Sequence, residues 1–266
     1  MHPVLFQLGE FRLYSYCVLI ALGGVLSTAF FSSKRARMGI KTDEDFWLLV
    51  NVILFAGFFG GRVLFLIEYV PLSHPAFWDS AFSFNKGFSV LGGFFGIVGG
   101  IWLFCRRKGL EFFRVQDYAS QVAPFWHVFG RLGCFAAGCC FGRLTDMPWG
   151  VTFTDPHTMI SPELLGRALH PAQLYEAAAD LVLAAGLYFL ILPKIESGRW
   201  PPGLLAAAHF AAYGVLRFFM EYFRADVVPL AAGLTAGQGL SLGLLVLAAA
   251  TFWAALKAGR RPCTPT

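Results

Sequence analysis

Long apolar runs alternate with short polar segments along the whole chain. The apolar residues are continuous rather than alternating at a period of two, which favours membrane-spanning helices over the strands of a barrel. Each run has about 18–26 residues, enough to cross about 30 Å of hydrocarbon at about 1.5 Å per residue. The pattern predicts seven helices, at about 13–33, 46–70, 88–105, 117–142, 170–192, 203–223 and 234–256.

The distribution of Lys and Arg among the connecting loops predicts the orientation of these helices. Thirteen of the 21 basic residues fall in loops on one side, five fall on the other side, and three lie within the predicted helices. Because cytoplasmic loops carry the excess of basic residues, the N-terminus is predicted outside and the C-terminus inside. The chain is thus expected to be one all-α polytopic domain over residues 1–266. Residues 143–169 would form an extracytoplasmic head loop, and residues 257–266 a cytoplasmic basic tail.

Composition agrees with a membrane protein. The chain is 57% hydrophobic and only 14% charged, whereas soluble domains have about 25% charged residues, and its mean hydropathy is +0.61. The formal net charge is +5. Since the basic residues cluster in short loops, they are interpreted as topology determinants, and no nucleic-acid partner is expected.

Charged residues inside the predicted helices are the main candidates for function. Arg131 lies in an apolar stretch, and eleven uncharged residues follow it. A charge at membrane depth costs roughly 2.5–3.5 kcal/mol on insertion scales, so such residues are usually functional. The others are Arg62, Glu176, Arg217 and Glu221. They could simply pair to align helices, but the arginines outnumber the interior acids, which favours an anionic ligand.

The predicted fourth helix places several of these candidates on one face. His127 and Arg131 are four residues apart and therefore neighbours on a helix. Cys134 or Phe135, Gly138 and Gly142 follow near the same face. In the next helix His170, Gln173 and Glu176 are spaced by three, and the sixth carries Arg217, Glu221 and Arg224.

The chain has six cysteines, three of them clustered at Cys134, Cys139 and Cys140. Their spacing is not that of a zinc ribbon, and no cysteines are spaced like a disulfide framework. The cluster is interpreted as small packing residues, and no metal or cofactor is expected.

These motifs resemble those of prolipoprotein diacylglyceryl transferases. GRLGCFAAGCCFG resembles the family signature G-R-x-G-N-F-x-N-G-E-x-x-G, and HPAQLYE matches HP-x-QLYE. LRFFMEYFR resembles F-R-x-x-x-E-F-F-R, GGRVLF resembles G-G-R-x-x-Y, and LYSYC resembles W-Y-G. The order and spacing agree over nearly the whole chain. The family's two asparagines and glutamate are replaced by Cys134, Ala137 and Cys139, and a family histidine is replaced by Leu91.

The resemblance implies a bacterial inner-membrane enzyme. It would transfer the diacylglyceryl group of phosphatidylglycerol to the lipobox cysteine of prolipoproteins, releasing glycerol 1-phosphate. Its partners would be this lipid, lipobox peptides and the bilayer. The phosphate would be bound by Arg131 and Arg217, while Tyr16 and Glu176 would shape the site. Supporting roles are expected for Arg62, Gly142, His170, Gln173, Glu221 and Arg224.

The general base is left open by the sequence. Because Leu91 occupies the position of the family histidine, His127 is the candidate, with His170 or no discrete base as alternatives. The missing asparagines and glutamate leave a second function open, namely a divergent paralogue that binds phospholipid without transfer. A transporter or channel is less favoured, because the sequence has no repeated half and no paired broken helices.

Overall fold

The computed structural model describes residues 3–70, 77–82, 87–225, 227–229 and 233–259. The described chain is mostly helical. Its helices are α1 (Ser15–Ser33), α2 (Asp43–Tyr69), α3 (Phe77–Phe82), α4 (Val90–Lys108), α5 (Phe112–Ala137), α6 (Ala172–Gly186), α7 (Leu192–Glu196), α8 (Leu204–Met220) and α9 (Ala236–Gly259). A π-helical segment, Leu187–Ile191, joins α6 to α7.

Two small antiparallel sheets accompany the helices. The first is a hairpin of β1 (Val4–Leu8) and β2 (Phe11–Tyr14), which turns at Gly9 with φ of 60°. The second pairs β3 (Val151–Thr152) with β4 (Ala168–Leu169). Neither sheet is predicted by the apolar runs, because both lie in or beside the polar connections.

The chain forms two compact units, of which the smaller comprises residues 32–118. Here α2 packs against α4. Glycines allow this close approach, since a Cβ on Gly60 would lie 2.9 Å from the Cα of Gly96. Both helices begin with a side-chain cap, because Thr42 accepts a hydrogen bond from Asp45 N and Ser89 accepts one from Gly92 N.

The larger unit comprises residues 1–31 and 119–266. Within it α8 packs against α9 and α6. The helix α1 approaches α5 closely, since a Cβ on Gly133 would lie 2.9 Å from Cδ2 of Tyr16. All the buried charges of α5, α6 and α8 discussed below belong to this unit.

The structure confirms a polytopic helical membrane protein. Among the described residues, five helices are long and apolar enough to cross a bilayer, and Leu204–Met220 is a shorter apolar helix. The five are Ser15–Ser33, Asp43–Ile67, Val90–Lys108, Ala172–Glu196 and Ala236–Gly259. A helix occupies most of each predicted segment, whereas the number of crossings and their orientation stay predictions.

The fourth predicted helix differs from the observed one at its end. The sequence predicts 117–142, but α5 ends at Ala137. Gly138 has φ of 74°, a left-handed conformation that typically terminates a helix and that glycine adopts without a steric penalty. Gly138 and Gly142 therefore do not continue the helical face of His127 and Arg131, contrary to the prediction.

The predicted head loop, 143–169, is folded. Phe153, Ile160 and Leu169 of β4 form a buried apolar cluster, against which Val151 of β3 packs. The backbone N–H of His157 donates a hydrogen bond to Asp155 Oδ1 at 2.8 Å, and together with the His157 ring it lowers the pKa of Asp155. The structure thus supports an ordered loop. The basic tail lies outside the described residues from Arg260 onward, and residues 257–259 belong to α9.

Candidate active site

Two pairs of ionisable side chains connect α5 to α6. Arg131 and His127 are one turn apart on α5, and Glu176 and Asp180 are one turn apart on α6. A guanidinium nitrogen of Arg131 forms an ion pair with Glu176 Oε2. One turn away, His127 Nδ1 lies 2.6 Å from Asp180 Oδ2. The later residue of one helix pairs with the earlier residue of the other, so the two helices run antiparallel here.

Glu176 also forms an ion pair with a second arginine. Arg224 Nη1 donates a hydrogen bond to Glu176 Oε1 at 3.0 Å, so one buried carboxylate bridges Arg131 and Arg224. Burying charges is costly unless they are paired, which the bridge achieves. Arg131 Nε nevertheless has no hydrogen-bond partner among the described residues.

A second ion pair lies on α8. Arg217 Nη2 donates a hydrogen bond to Glu221 Oε1 at 3.0 Å, and the two side chains are 15% and 4% exposed. Arg217 Nη1 is buried without a hydrogen-bond partner in the part of the chain that the structure describes. The α9 backbone at Gly237 covers this pair, because a Cβ there would lie 2.9 Å from Arg217 Nη2 and still closer to the Glu221 carboxylate.

Tyr213 connects the two groups of charges. It precedes Arg217 by one turn on α8 and interacts electrostatically with Arg131, Glu176, Asp180 and Arg217. Its ring centroid is 5.6 Å from that of His127. The charges of α5, α6 and α8 therefore form one site, which we call the arginine site. It comprises His127, Arg131, Glu176, Asp180, Tyr213, Arg217, Glu221 and Arg224.

Tyr16 and the three cysteines lie beside the arginine site. Tyr16 interacts electrostatically with Cys134, Cys139 and Cys140, and Arg131 and Arg224 both interact with Cys140. The three sulfur atoms lie within 4.8 Å of one another, and each side chain is partly buried. That they only pack stays a prediction; their spacing allows one metal ion to reach all three sulfurs.

The HPAQLYE segment contains the start of α6 and supports the site from the loop that precedes this helix. Gln173 is buried and donates a hydrogen bond from Nε2 to the carbonyl of Cys139 at 2.7 Å. Gly142 N donates to the carbonyl of His170 at 3.0 Å, and a Cβ on Gly142 would lie 2.5 Å from that oxygen. His170 precedes α6, so it does not continue the helical stripe of Gln173 and Glu176, contrary to the prediction.

Arg62 belongs to the smaller unit. It donates a hydrogen bond to the carbonyl of Gly87 at 2.9 Å, contacts the carbonyl of Ser80, and lies over the ring of Phe65. These contacts tie α2 to the residues that precede α4 and to α3. They support a structural role for this buried arginine.

Two residues of the arginine site are missing from the sequence prediction. The first is Asp180, which follows Glu176 by four residues, while His127 precedes Arg131 by four. This matched spacing on two antiparallel helices is the sequence signal that could have identified Asp180. Tyr213 is one turn before Arg217, but its contact with the α5 and α6 charges depends on helix packing.

Comparison with known proteins shows the family. A family model described as prolipoprotein diacylglyceryl transferase matches residues 3–254. The chain belongs to this family. Because the match spans the whole arginine site, the site lies within the region that defines the family.

Individual relatives are similar to this chain along most of their length. A protein of Geobacter sulfurreducens is 34% identical over 264 residues, covering 92% of both chains. A protein of Bordetella avium is 33% identical, covering 92% of this chain and 90% of its own. A protein of Clostridium tetani is 28% identical, covering 93% of this chain and 95% of its own. Each is named phosphatidylglycerol–prolipoprotein diacylglyceryl transferase.

Proposed function

We propose that this chain transfers the diacylglyceryl group of phosphatidylglycerol to the lipobox cysteine thiol of prolipoproteins. The products are a thioether and glycerol 1-phosphate. One structural observation carries the proposal, namely two partly buried arginines, Arg131 and Arg217, that each keep an unpartnered N–H donor. Such donors are costly to bury unless a ligand accepts from them.

A phosphate satisfies these donors better than further side chains would. The guanidiniums of Arg131, Arg217 and Arg224 form ion pairs with the carboxylates of Glu176 and Glu221, while the third carboxylate, Asp180, pairs with His127. Arginine binds phosphate through parallel N–H donors with fixed geometry. Helix alignment alone explains the ion pairs but not the unused donors.

The nucleophile of the proposed reaction is the substrate thiol, which reacts as the thiolate. His127 is the proposed base. Asp180 lies against Nδ1 and leaves Nε2 to accept the thiol proton, as a carboxylate orients the histidine of other nucleophile–base systems. The His127 side chain is 31% exposed, so a substrate can reach it.

The proposed step is a displacement at carbon. The sulfur attacks the glyceryl carbon that bears the phosphate oxygen, so a C–S bond forms while the C–O bond breaks. The electron pair leaves with glycerol 1-phosphate, whose charge the arginines stabilise in a site shielded from water. Glu176 and Arg224 act by positioning Arg131, and Tyr16 and Tyr213 shape the site.

His170 is less suited to be the base. Its Nδ1 lies 3.2 Å from the hydroxyl of Tyr175, which also accepts a hydrogen bond from Trp149 Nε1. Its ring packs against Phe223, with the centroids 5.5 Å apart. These contacts favour a structural role at the start of α6.

An apolar groove between α6 and α8 offers a place for an acyl chain. It has a volume of about 750 Å³ and is lined by alanines and leucines, including Ala179, Leu183 and Ala212. Tyr175, the neighbour of Glu176 in the sequence, is one of its lining residues, so a lipid with its phosphate at the arginines would place one chain in the groove.

The topology belongs to the same proposal. We infer seven crossings of the bacterial cytoplasmic membrane, with the N-terminus and the head loop outside. This orientation is supported by the loop charges and places the ordered loop 143–169 on the side where translocated prolipoproteins emerge. No nucleic-acid partner is proposed.

The test uses purified protein in phosphatidylglycerol vesicles with a lipobox peptide. We expect the peptide to gain one diacylglyceryl group while one glycerol 1-phosphate is released, as measured by mass spectrometry and an enzymatic phosphate assay. A peptide with serine in place of the cysteine and vesicles of phosphatidylcholine are the controls. Binding of phosphatidylglycerol without transfer would favour the non-enzymatic paralogue instead; the comparisons give no support to that alternative.

A further inference from the structure

The three clustered cysteines are brought together by the way α5 ends. Gly138 N and Cys139 N both donate hydrogen bonds to the carbonyl of Cys134, at 2.9 and 3.1 Å. The left-handed Gly138 reverses the chain at this point. Cys139 and Cys140 thereby return to the last turn of the helix, where Cys134 projects.

Two further features hold this arrangement. Cys140 has φ of 57°, the only positive φ of a non-glycine residue in the described chain; such a conformation persists where the surroundings impose it. The buried Gln173 donates to the carbonyl of Cys139. The cysteine positions are therefore fixed by α6 as well as by the turn.

The distances fit a metal ion. Zinc binds thiolate sulfur at about 2.3 Å, so three sulfurs around one zinc are about 3.8 Å apart in tetrahedral geometry. The observed separations are all within 4.8 Å, which modest side-chain rotations would close to this value. Arg131 and Arg224 interact with Cys140 and offset the negative charge of three thiolates.

We propose that Cys134, Cys139 and Cys140 bind one zinc ion whose fourth position takes the thiol of the substrate cysteine. This inference rests on the proposed transferase function. Three protein ligands with one open position are typical of catalytic rather than structural zinc. Zinc binding keeps a thiol ionised while leaving its sulfur nucleophilic.

The chemistry balances without a redox step. Each of the three cysteines loses one proton to solvent when zinc binds, and the substrate thiol replaces a water ligand and loses its own proton to His127. His127 is seven residues before Cys134 on the same helical face, about 10 Å along the axis, and it takes this proton before the sulfur binds the zinc. The bound sulfur then forms the C–S bond as the C–O bond of the lipid breaks.

Cobalt provides a measurement of binding that does not depend on activity. The protein is purified in detergent with a phosphine reductant, freed of metal and titrated with Co²⁺. We expect one equivalent to bind, with the near-ultraviolet thiolate-to-cobalt absorption and the visible bands of a tetrahedral site. Cys17→Ser, which changes an exposed cysteine outside the cluster, should leave this spectrum unchanged.

The triple variant Cys134→Ser, Cys139→Ser, Cys140→Ser should lose the absorption. Cys134→Ala alone, the milder change, should weaken Co²⁺ binding at least tenfold while the protein elutes as a single species in gel filtration. No Co²⁺ binding by the reduced wild-type protein, an unchanged spectrum in the triple variant, or a disulfide within the cluster under these conditions would overturn the metal site.

The fourth ligand is tested with the peptide. Adding a lipobox peptide to the cobalt form should increase the thiolate-to-cobalt absorption, and the peptide with serine in place of cysteine should not. An identical response to both peptides would overturn the role in substrate binding. Because these spectra are recorded without lipid, failure to transfer would count against the proposed function and not against the zinc site.

In phosphatidylglycerol vesicles, removal of zinc with a chelator should lower the transfer rate at least a hundredfold, and added Zn²⁺ should restore it. Full activity of the metal-free protein and of the triple serine variant would leave the cysteines as the packing residues that the sequence favours.

Discussion

The guanidinium of Arg131 combines a strong ion pair with an unused donor. Its Nε has no hydrogen-bond partner in the described chain, although Glu176 neutralises its charge. Arg217 shows the same combination with Glu221. We expect Arg131→Ala and Arg217→Ala each to abolish transfer while the protein still inserts into the membrane.

The planar geometry of the Arg131 guanidinium matters as well as its charge. Arg131→Lys should also be nearly inactive, because an ammonium cannot donate two parallel hydrogen bonds to a phosphate. Arg12→Ala, which changes an exposed arginine of β2, is the control and should keep the wild-type rate. Near wild-type thioether formation by purified Arg131→Ala would contradict the phosphate assignment.

Glu176 is expected to matter for stability. Glu176→Gln leaves Arg131 and Arg224 without their shared carboxylate, and removing one partner of a buried pair costs about 3–5 kcal/mol. We expect a clearly lower unfolding temperature in scanning calorimetry of the detergent-solubilised protein. Glu163→Gln, at an exposed carboxylate of the head loop, should leave the temperature unchanged; equal temperatures for both variants would refute the bridge.

His127 and Asp180 should act as a unit. His127→Gln removes the proposed base and should lower turnover roughly 10²–10⁴-fold with little change in lipid binding. Asp180→Asn should lower kcat in the same direction and leave KM for the lipid unchanged, because it acts only by orienting the ring. The measurement is the rate with a lipobox peptide from pH 6 to 9, with His157→Gln of the head loop as the control.

The outcome at every pH is informative. If His127→Gln keeps the full rate across this range, then His127 only packs, and the thiol loses its proton by another route. If Asp180→Asn alone is inactive, the carboxylate itself takes part in the reaction.

Among the secondary-structure elements, α9 packs against the Arg217–Glu221 pair at one glycine, Gly237. A methyl group on Gly237 would overlap the Glu221 carboxylate, and forcing extra atoms into a packed region typically costs about 1–3 kcal/mol. Gly237→Ala should therefore lower both the unfolding temperature and the transfer rate. Gly243→Ala, on the same helix with open space around it, should change neither; equal effects of the two variants would disprove the packing argument.

The ends of the helices also decide which residues meet. Helical periodicity alone would continue α5 through Gly142, whereas the left-handed Gly138 ends it and returns Cys139 and Cys140 to Cys134. A glycine in a membrane helix often serves close packing, so its role as a terminator is hard to read from the pattern.

For the whole molecule, the loop charges predict the topology. A reporter fused after Gly259 should appear cytoplasmic, and one inserted near His157 should appear extracytoplasmic. Alkaline phosphatase and green fluorescent protein fusions measure this, since the first is active only outside and the second fluoresces inside. Two reporters on the same side would mean that the number of crossings is wrong.

Sequence patterns alone identify a helical membrane protein of the diacylglyceryl transferase family. Continuous apolar runs identify helices because a run of about 20 apolar residues spans the hydrocarbon, where the backbone must satisfy its own hydrogen bonds. Buried charges such as Arg131 and Arg217 stand out for the same reason. The family motifs HPAQLYE and LRFFMEYFR identify which of these charges belong to one site.

How the charges pair is visible only once the helices are packed. Glu176 pairs with Arg131 and with Arg224, which lies 48 residues after it, Asp180 pairs with His127, and Tyr213 lies among these charges. These contacts depend on which faces of α5, α6 and α8 turn toward one another. Pairing lowers the cost of burying charge, but the partners come from different helices, so no local sequence pattern encodes it.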